Sequence, residues 1–335
     1  MRLCWILSGS LGQRGGRLFS PLASHRLRCI EPATALVRKG HRIAIVRAET
    51  LAGRLDAPDL HDAEAVIIGK QFADITPLVR IMQERGQRII VDLCDDYQLD
   101  PLNHSYAGLL KLADVCTVPS MVLADRLRAG SDVPVSIIPD CVEGDALPPA
   151  FRRTQGGALR LLWFGQPANL DALDAALPGL DRFHHEVPLS LTVVTQLSAQ
   201  VGARFPAQRE GLPIRCVPWS PETMHEALQD CHLVVVPSFP TEEKQAKSAN
   251  RVASALWAGR LPVAFPLPSY ETFAGSAVLA EALADGIAWA LAHSSEIPSR
   301  IADGQALIRN QFTPSAVAEQ WHAILADLPN GCVLN

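Results

Sequence analysis

The tract from residue 232 to residue 270 constrains this chain more than any other. Two short β-rich apolar runs, HLVVVPS at 232–238 and LPVAFP at 261–266, flank a stretch long enough for one loop and one helix. Strand, loop, helix, strand is the repeating unit of a mixed or parallel sheet covered on both faces.

The connecting stretch is cationic. On a helix predicted over residues 243–258, Lys244, Lys247 and Arg251 recur at three- and four-residue spacing, with Ser254 continuing the same face. The unpaired N–H groups of a helix start would add positive potential there, as at phosphate sites of α/β proteins. Asn250 adds a side chain that reads polar groups a lysine cannot. The plain alternative is a solvated helix face with no ligand.

The same alternation runs through the chain. Apolar runs at 3–7, 41–46, 65–68, 88–92, 115–118 and 135–138 predict strands, with helices over 30–39, 75–85, 105–113 and 120–129. A second series begins at 159–165 and continues at 189–195 and 213–219. The reading is α/β, two doubly wound Rossmann-like domains. The polar stretch 143–157 is the best linker, dividing the chain into domains at 1–150 and 151–312. Residues 313–335 form a C-terminal helix and tail, with Thr313 as N-cap; packing back on the N-terminal domain is one option, and the pattern does not choose the domain.

Composition narrows the class. A hydrophobic fraction of 48% and six Trp describe a packed globular protein of 335 residues. No apolar run reaches the roughly 18 residues of a spanning helix, and the start MRLCWILSGSLG reads as a buried strand, so a cytoplasmic protein is expected. The eight cysteines, at 4, 29, 94, 116, 141, 216, 231 and 332, show neither disulfide nor metal spacing. The formal charge of −5 disfavours nucleic acid, although residues 1–50 hold nine Arg or Lys against two Glu. That basic end would suit a phosphorylated acceptor or peripheral contact with an anionic inner membrane face.

With two doubly wound halves, a basic N-terminal loop and the segment KQAKSANR, the chain resembles the GT-B glycosyltransferases, particularly the family 4-like group. The closest local match is VVVPSFPTEEKQAKSANRVASALWAGRLPVAFPLPSY, similar to the family's nucleotide-sugar segment. The family's paired donor glutamates fall here on Ala246 and Ser254. The chain therefore resembles a divergent group carrying a KSxNR helix, in which Ser254 cannot replace the bonds of a carboxylate. A second resemblance lies in SPLASHRLRCIEPATALVRKGH at 20–41, similar to the family's SxRxRxxxPAxxLxxxGH pattern.

The resemblance implies glycosyl transfer from a nucleoside diphosphate sugar to a hydroxyl acceptor, which would be a glycan, a lipid-linked molecule or a small molecule. It implies no cofactor and no metal, with Lys247 and Arg251 offsetting the charge of the departing diphosphate. Gly165, Asn169, Lys244, Asn250, Ser254, Ser269 and Tyr270 are the donor candidates. His25, Arg26, Arg28 and Asp96 are the acceptor candidates. Asp92, Asp95 and Asp96 follow a strand in VDLCDDYQLD, and Asp95 is the candidate acceptor-side base. The alternatives are an epimerase or hydrolase of nucleotide sugars, and a binding protein that has lost its chemistry with the missing glutamates. A Rossmann dehydrogenase fits poorly, because SGSLGQRGG lacks a clean GxGxxG.

Overall fold

Strand β1 (Arg2–Leu7) shows how the sheet is built, because its side chains alternate between two cores. Leu3, Trp5 and Leu7 enter one cluster of buried residues, while Cys4 and Ile6 enter another. Alternation between two apolar layers is what a sheet covered on both faces requires.

The computed structural model describes residues 1–151 and 157–328, so Cys332, part of the expected linker and the C-terminal tail lie outside the described residues. The chain divides into two units. The first comprises Met1–Glu143, Gln245–Ser248 and the chain from Asn310 onward, and the second Gly144–Lys244 with Ala249–Arg309. The chain thus leaves the first unit after Glu143, earlier than the division expected after residue 150.

In the first unit a small hairpin follows β1, made of β2 (Gly12–Arg14) and β3 (Arg17–Phe19). Gly15 and Gly16 turn it with positive φ, a backbone that side chains resist. The remaining strands are β4 (Arg42–Arg47), β5 (Ala65–Ile68), β6 (Arg88–Asp92), β7 (Val115–Val118) and β8 (Val135–Ile137). They form a parallel sheet in the order β4-β1-β5-β6-β7-β8. Helices Thr76–Glu84, Asn103–Leu110 and Met121–Gly130 fill the crossovers.

The helix after the hairpin starts earlier than its sequence pattern indicates. Ala23–His25, a π-helical turn Arg26–Ile30 and Glu31–Arg38 run on from one another, so His25, Arg26 and Arg28 stand on a helix. Helix Pro314–Asp327, capped by the Thr313 side chain, packs on Glu31–Arg38.

The second unit contains β9 (Leu159–Phe164), β10 (Leu189–Thr195), β11 (Gln208–Arg209), β12 (Leu212–Pro218), β13 (Leu233–Val236), β14 (Leu261–Ala264) and β15 (Val278–Leu279). Their order is β11-β12-β10-β9-β13-β14-β15, parallel except for the β11–β12 pair. Helix Leu170–Glu186 buries Leu170, Leu173, Leu177 and Leu180 at helical spacing.

One expectation fails here. The single helix over 243–258 is two pieces, Glu242–Gln245 and Asn250–Trp257. Between them the first unit captures the chain: Ser120 Oγ donates to the Ala246 carbonyl at 2.7 Å, and Ser248 Oγ donates to Asp140 Oδ2 at 2.6 Å. Ala246 is buried in the apolar layer containing Cys4 and Ile6. Lys244, Lys247 and Arg251 therefore do not share one helix face.

Candidate functional site

In the second unit the candidate residues gather at the carboxyl end of β9, the edge at which open α/β sheets bind ligands. Gly165 directly follows β9, and a side chain there would press on Trp163 at 3.1 Å and lie 3.7 Å from Arg251 Nη1. Arg251 Nη1 is buried and has no hydrogen-bond partner. A guanidinium N–H kept from water without an acceptor is costly, and an anion would relieve that cost.

Arg251 lies in the first turn of helix Asn250–Trp257, whose N-cap, Ala249, supplies no side-chain cap. The positive end of the helix dipole adds to the potential there. Lys244 Nζ donates to Asn169 Oδ1 at 2.9 Å and pairs with Glu243 at 3.2 Å. Ser254 and Asn250 are half-buried on the same helix. Ser269 Oγ is buried without a partner, whereas Tyr270 is 2% exposed and belongs to the core. Tyr270 is therefore a packing residue in this structure, because a ring so enclosed has no face to offer a sugar.

In the first unit the acidic loop after β6 makes a charged cluster. Asp95 Oδ1 accepts from Lys247 Nζ at 2.5 Å, and Asp95 Oδ2 accepts from Lys70 Nζ at 3.1 Å. Lys70 also reaches Asp100 Oδ2 at 3.1 Å. Burial pushes the Asp95 carboxyl up, but the ammonium groups of Lys247 and Lys70 outweigh it and hold the pKa well below the usual carboxylate range. A carboxylate held that firmly in its ionised form is a weak proton acceptor, which argues against Asp95 as the base.

The neighbouring aspartates do other work. Asp92 accepts from Arg28 Nη2 at 2.6 Å and from Thr117 Oγ1 at 2.6 Å, both buried. Arg28 Nη1 donates to Asp140 Oδ1 at 2.8 Å and to the Ile138 carbonyl at 2.9 Å. Burial opposes the Arg28 charge, yet Asp92 and Asp140 raise its pKa above the ordinary arginine value. Asp96 caps the turn Tyr97–Leu99 and accepts from Arg126 Nη1 at 2.8 Å.

The acceptor candidates of the first helix are also engaged. Arg26 donates to Glu143 through Nε at 2.7 Å and Nη2 at 3.2 Å, and through Nη1 to the carbonyls of Ser20 and Pro21. His25 is fully buried, and its Nδ1 meets Ser20 Oγ at 2.9 Å. Burial lowers its pKa to about 4, with Glu49 raising it and Arg26 lowering it further. His25 and Arg28 are thus interior residues that hold the first helix, and direct contact with an acceptor would require displacing the groups around them.

Sequence reasoning missed Lys70, Asp140 and Glu143. Lys70 was open to discovery, since it follows Gly69 just past the carboxyl end of β5. Asp140 and Glu143 gave no local signal, because their partners Arg28 and Arg26 are more than a hundred residues away in sequence.

The structure is similar to solved glycosyltransferases. A glycosyltransferase from Rickettsia africae matches with TM-score 0.72 and 12% identity, over 97% of this chain and 98% of that one. An Escherichia coli structure titled as trehalose-6-phosphate bound with UDP-2-fluoro glucose matches with TM-score 0.63 and 12% identity, over 98% and 92%. The fold is GT-B. A putative UDP-N-acetylglucosamine 2-epimerase from Listeria monocytogenes also matches, with TM-score 0.59 and 12% identity over 96% and 95%. No family model and no curated protein matches the sequence. Among the described residues, no helix is long and apolar enough to cross a membrane, and no group of three or more His, Cys, Asp or Glu is placed to hold a metal ion.

Proposed function

We propose that this GT-B chain transfers a glycosyl group from a nucleoside diphosphate sugar to a hydroxyl acceptor. The observation that carries this reading is Arg251 Nη1, buried without an acceptor beside Gly165 at an uncapped helix start. A diphosphate would satisfy that N–H at the positive end of the helix. Gly165 leaves room for the donor, and Asn169, Lys244, Asn250, Ser254 and Ser269 supply polar contacts to its sugar, ribose or phosphates.

Lys247, four positions earlier in the chain, is the second cation of this reading. Arg251 stabilises negative charge as the diphosphate departs, so the transfer needs no divalent ion. The basic hairpin Gly12–Phe19 serves an acceptor bearing phosphate, with a glycan, a lipid-linked molecule and a small molecule all meeting the chemical requirement. The neighbours support the reading through their fold and through the UDP-2-fluoro glucose bound in one of them.

The test is calorimetric titration of UDP, GDP, ADP and CDP and their common sugars into the parent and into an Arg251→Ala, Lys247→Ala double variant. One nucleotide family binds the parent, and the folded double variant loses that binding, since each charged hydrogen bond contributes roughly 1.5–3 kcal/mol. Undiminished binding and turnover in the double variant would overturn the reading. Turnover that persists in a chelator is expected as well.

The epimerase neighbour favours one second reading, a nucleotide-sugar epimerase. Product analysis separates the two, because an epimerase consumes its sugar nucleotide without an acceptor and releases no nucleoside diphosphate as a stoichiometric product of transfer.

A further inference from the structure

Lys70 is held rigidly before any ligand is considered. Its carbonyl accepts from the Ser8 N–H at 3.0 Å, and the preceding Gly69 N–H donates to the Ile6 carbonyl at 2.9 Å, so β1 fixes its backbone. Its side chain is only 18% exposed and spans Asp95 and Asp100. Asp100 is itself fixed, because its Oδ1 accepts from the Leu102 N–H at 2.9 Å in the turn that leads into helix Asn103–Leu110.

The two oxygens of Asp95 are divided between two ammonium groups, Oδ2 to Lys70 and Oδ1 to Lys247. Lys70 thereby fixes the direction in which Asp95 presents its other oxygen. It also shares the Asp95 charge with Lys247. Burial opposes the charge on Lys70, but the acidic groups around it prevail and raise its pKa, so it stays an ammonium. Asp92, Cys94, Tyr97 and Tyr106 line a void of about 10 Å³ beside Lys70, while the Asp95 side chain itself keeps 34% of its surface exposed.

We propose that Lys70 is a positioning residue that acts through Asp95, orienting the Lys247 ammonium and keeping it only partly neutralised by that carboxylate, ready for an anionic ligand. The assignment of Lys247 to the diphosphate rests on the function proposed above. The sharing of Asp95 does not, and the two are tested separately.

The first measurement is the acylation rate of each lysine by trace acetic anhydride, read by mass spectrometry with exposed Lys111 as internal standard. In Lys70→Met, Asp95 turns both oxygens on Lys247, whose ammonium then gives up its proton less readily and acylates more slowly, by about threefold or more. Adding Asp95→Asn reverses the effect past the parental rate, and Lys70→Arg leaves it near parental. A purely structural Lys70 would instead loosen the segment and speed Lys247 labelling in Lys70→Met. Unchanged or faster labelling in folded Lys70→Met overturns the proposal. Should Lys70→Met not fold, Asp95→Asn alone decides: labelling of both Lys70 and Lys247 accelerates, and no acceleration overturns it.

The second measurement is nucleoside diphosphate affinity of the same variants by calorimetry. Lys70→Met weakens binding about tenfold and the Asp95→Asn addition restores it toward the parent. A parent that binds none of the four nucleotides defeats the glycosyl-donor reading, while the labelling series still decides whether Lys70 positions Lys247.

Discussion

Trp321 stands edge-on to Trp5, with ring centroids 5.0 Å apart and planes at 72°. The pair joins the helix Pro314–Asp327 to the first strand, and both indoles are essentially buried. Trp321→Ala should cost about 3–5 kcal/mol, the range for truncating a buried aromatic, read as a lowered urea midpoint of the first unit. A loss under about 1 kcal/mol would show that the helix contributes little to that core.

Arg28 is the centre of a buried ion network. Arg28→Met leaves Asp92 and Asp140 without their cation, and breaking a buried pair from one side costs about 3–5 kcal/mol. Chemical denaturation checks the magnitude. Removing the charges together, with Asp92→Asn added, should recover part of the loss, because the interior is then left with fewer unpaired ions.

Asp95 should not set the acidic limb of the activity profile. Its carboxyl is held well below the ordinary range by Lys247 and Lys70, so it stays ionised throughout pH 4–7. In Asp95→Asn the profile of kcat/KM against pH keeps the same acidic inflection, even where the absolute rate falls. An inflection that disappears in this variant would restore Asp95 as the base.

Two buried histidines make stability depend on pH with a defined sign. His25 is pushed down to about 4 by burial, and His41 is also lowered, by burial first and then by the N-terminus, His322 and Lys39, with Glu64 opposing. Their native pKa values lie below the unfolded value of about 6.5, so the unfolded chain binds more protons at acid pH. The stability they confer is complete above about pH 6.5 and lost as pH falls, with the His25 share declining until about pH 4. Nε2 of His41 meets Nδ1 of His322 at 2.9 Å, an arrangement with room for one proton between the rings. Urea midpoints from pH 7.5 to 4.5 should fall, and His41→Gln should flatten the upper part of that slope.

Gly259 cannot accept a side chain. Its φ is +70°, and a Cβ would collide with the Pro148 carbonyl and lie 2.8 Å from the Leu147 oxygen. Gly259→Ala should destabilise the second unit by more than about 2 kcal/mol, from backbone strain and displaced chain together. Differential scanning calorimetry on the parent and variant checks it.

The strands were legible because parallel strands buried on both faces are continuous apolar runs, as at Ala65–Ile68 and Leu233–Val236. Helix Pro314–Asp327 was legible from Thr313 and the proline after it. The break between Gln245 and Asn250 was not, because Ala246, Lys247, Ser248 and Ala249 carry no helix breaker. It is made by Ser120, Asp95 and Asp140, whose arrival at this segment is a matter of tertiary structure. The same limit hid the roles of the site residues. The sequence pattern placed His25 and Arg28 in a loop, where such side chains reach ligands, and a helix beginning at Ala23 turned them inward. Lys247 and Asp95 were each visible as candidates, but not as partners.

The return of the chain to the first unit from Asn310 onward also fixes an order of events during synthesis. Trp5 leaves the ribosome before any of the second unit, and its partner Trp321 emerges only after the whole second unit has been made. The domain translated first is therefore the one completed last, and it must wait with one apolar face of its sheet partly uncovered. A cell making this protein has to shelter that face for the time needed to translate most of the chain, about 15–60 s at the usual rates of elongation.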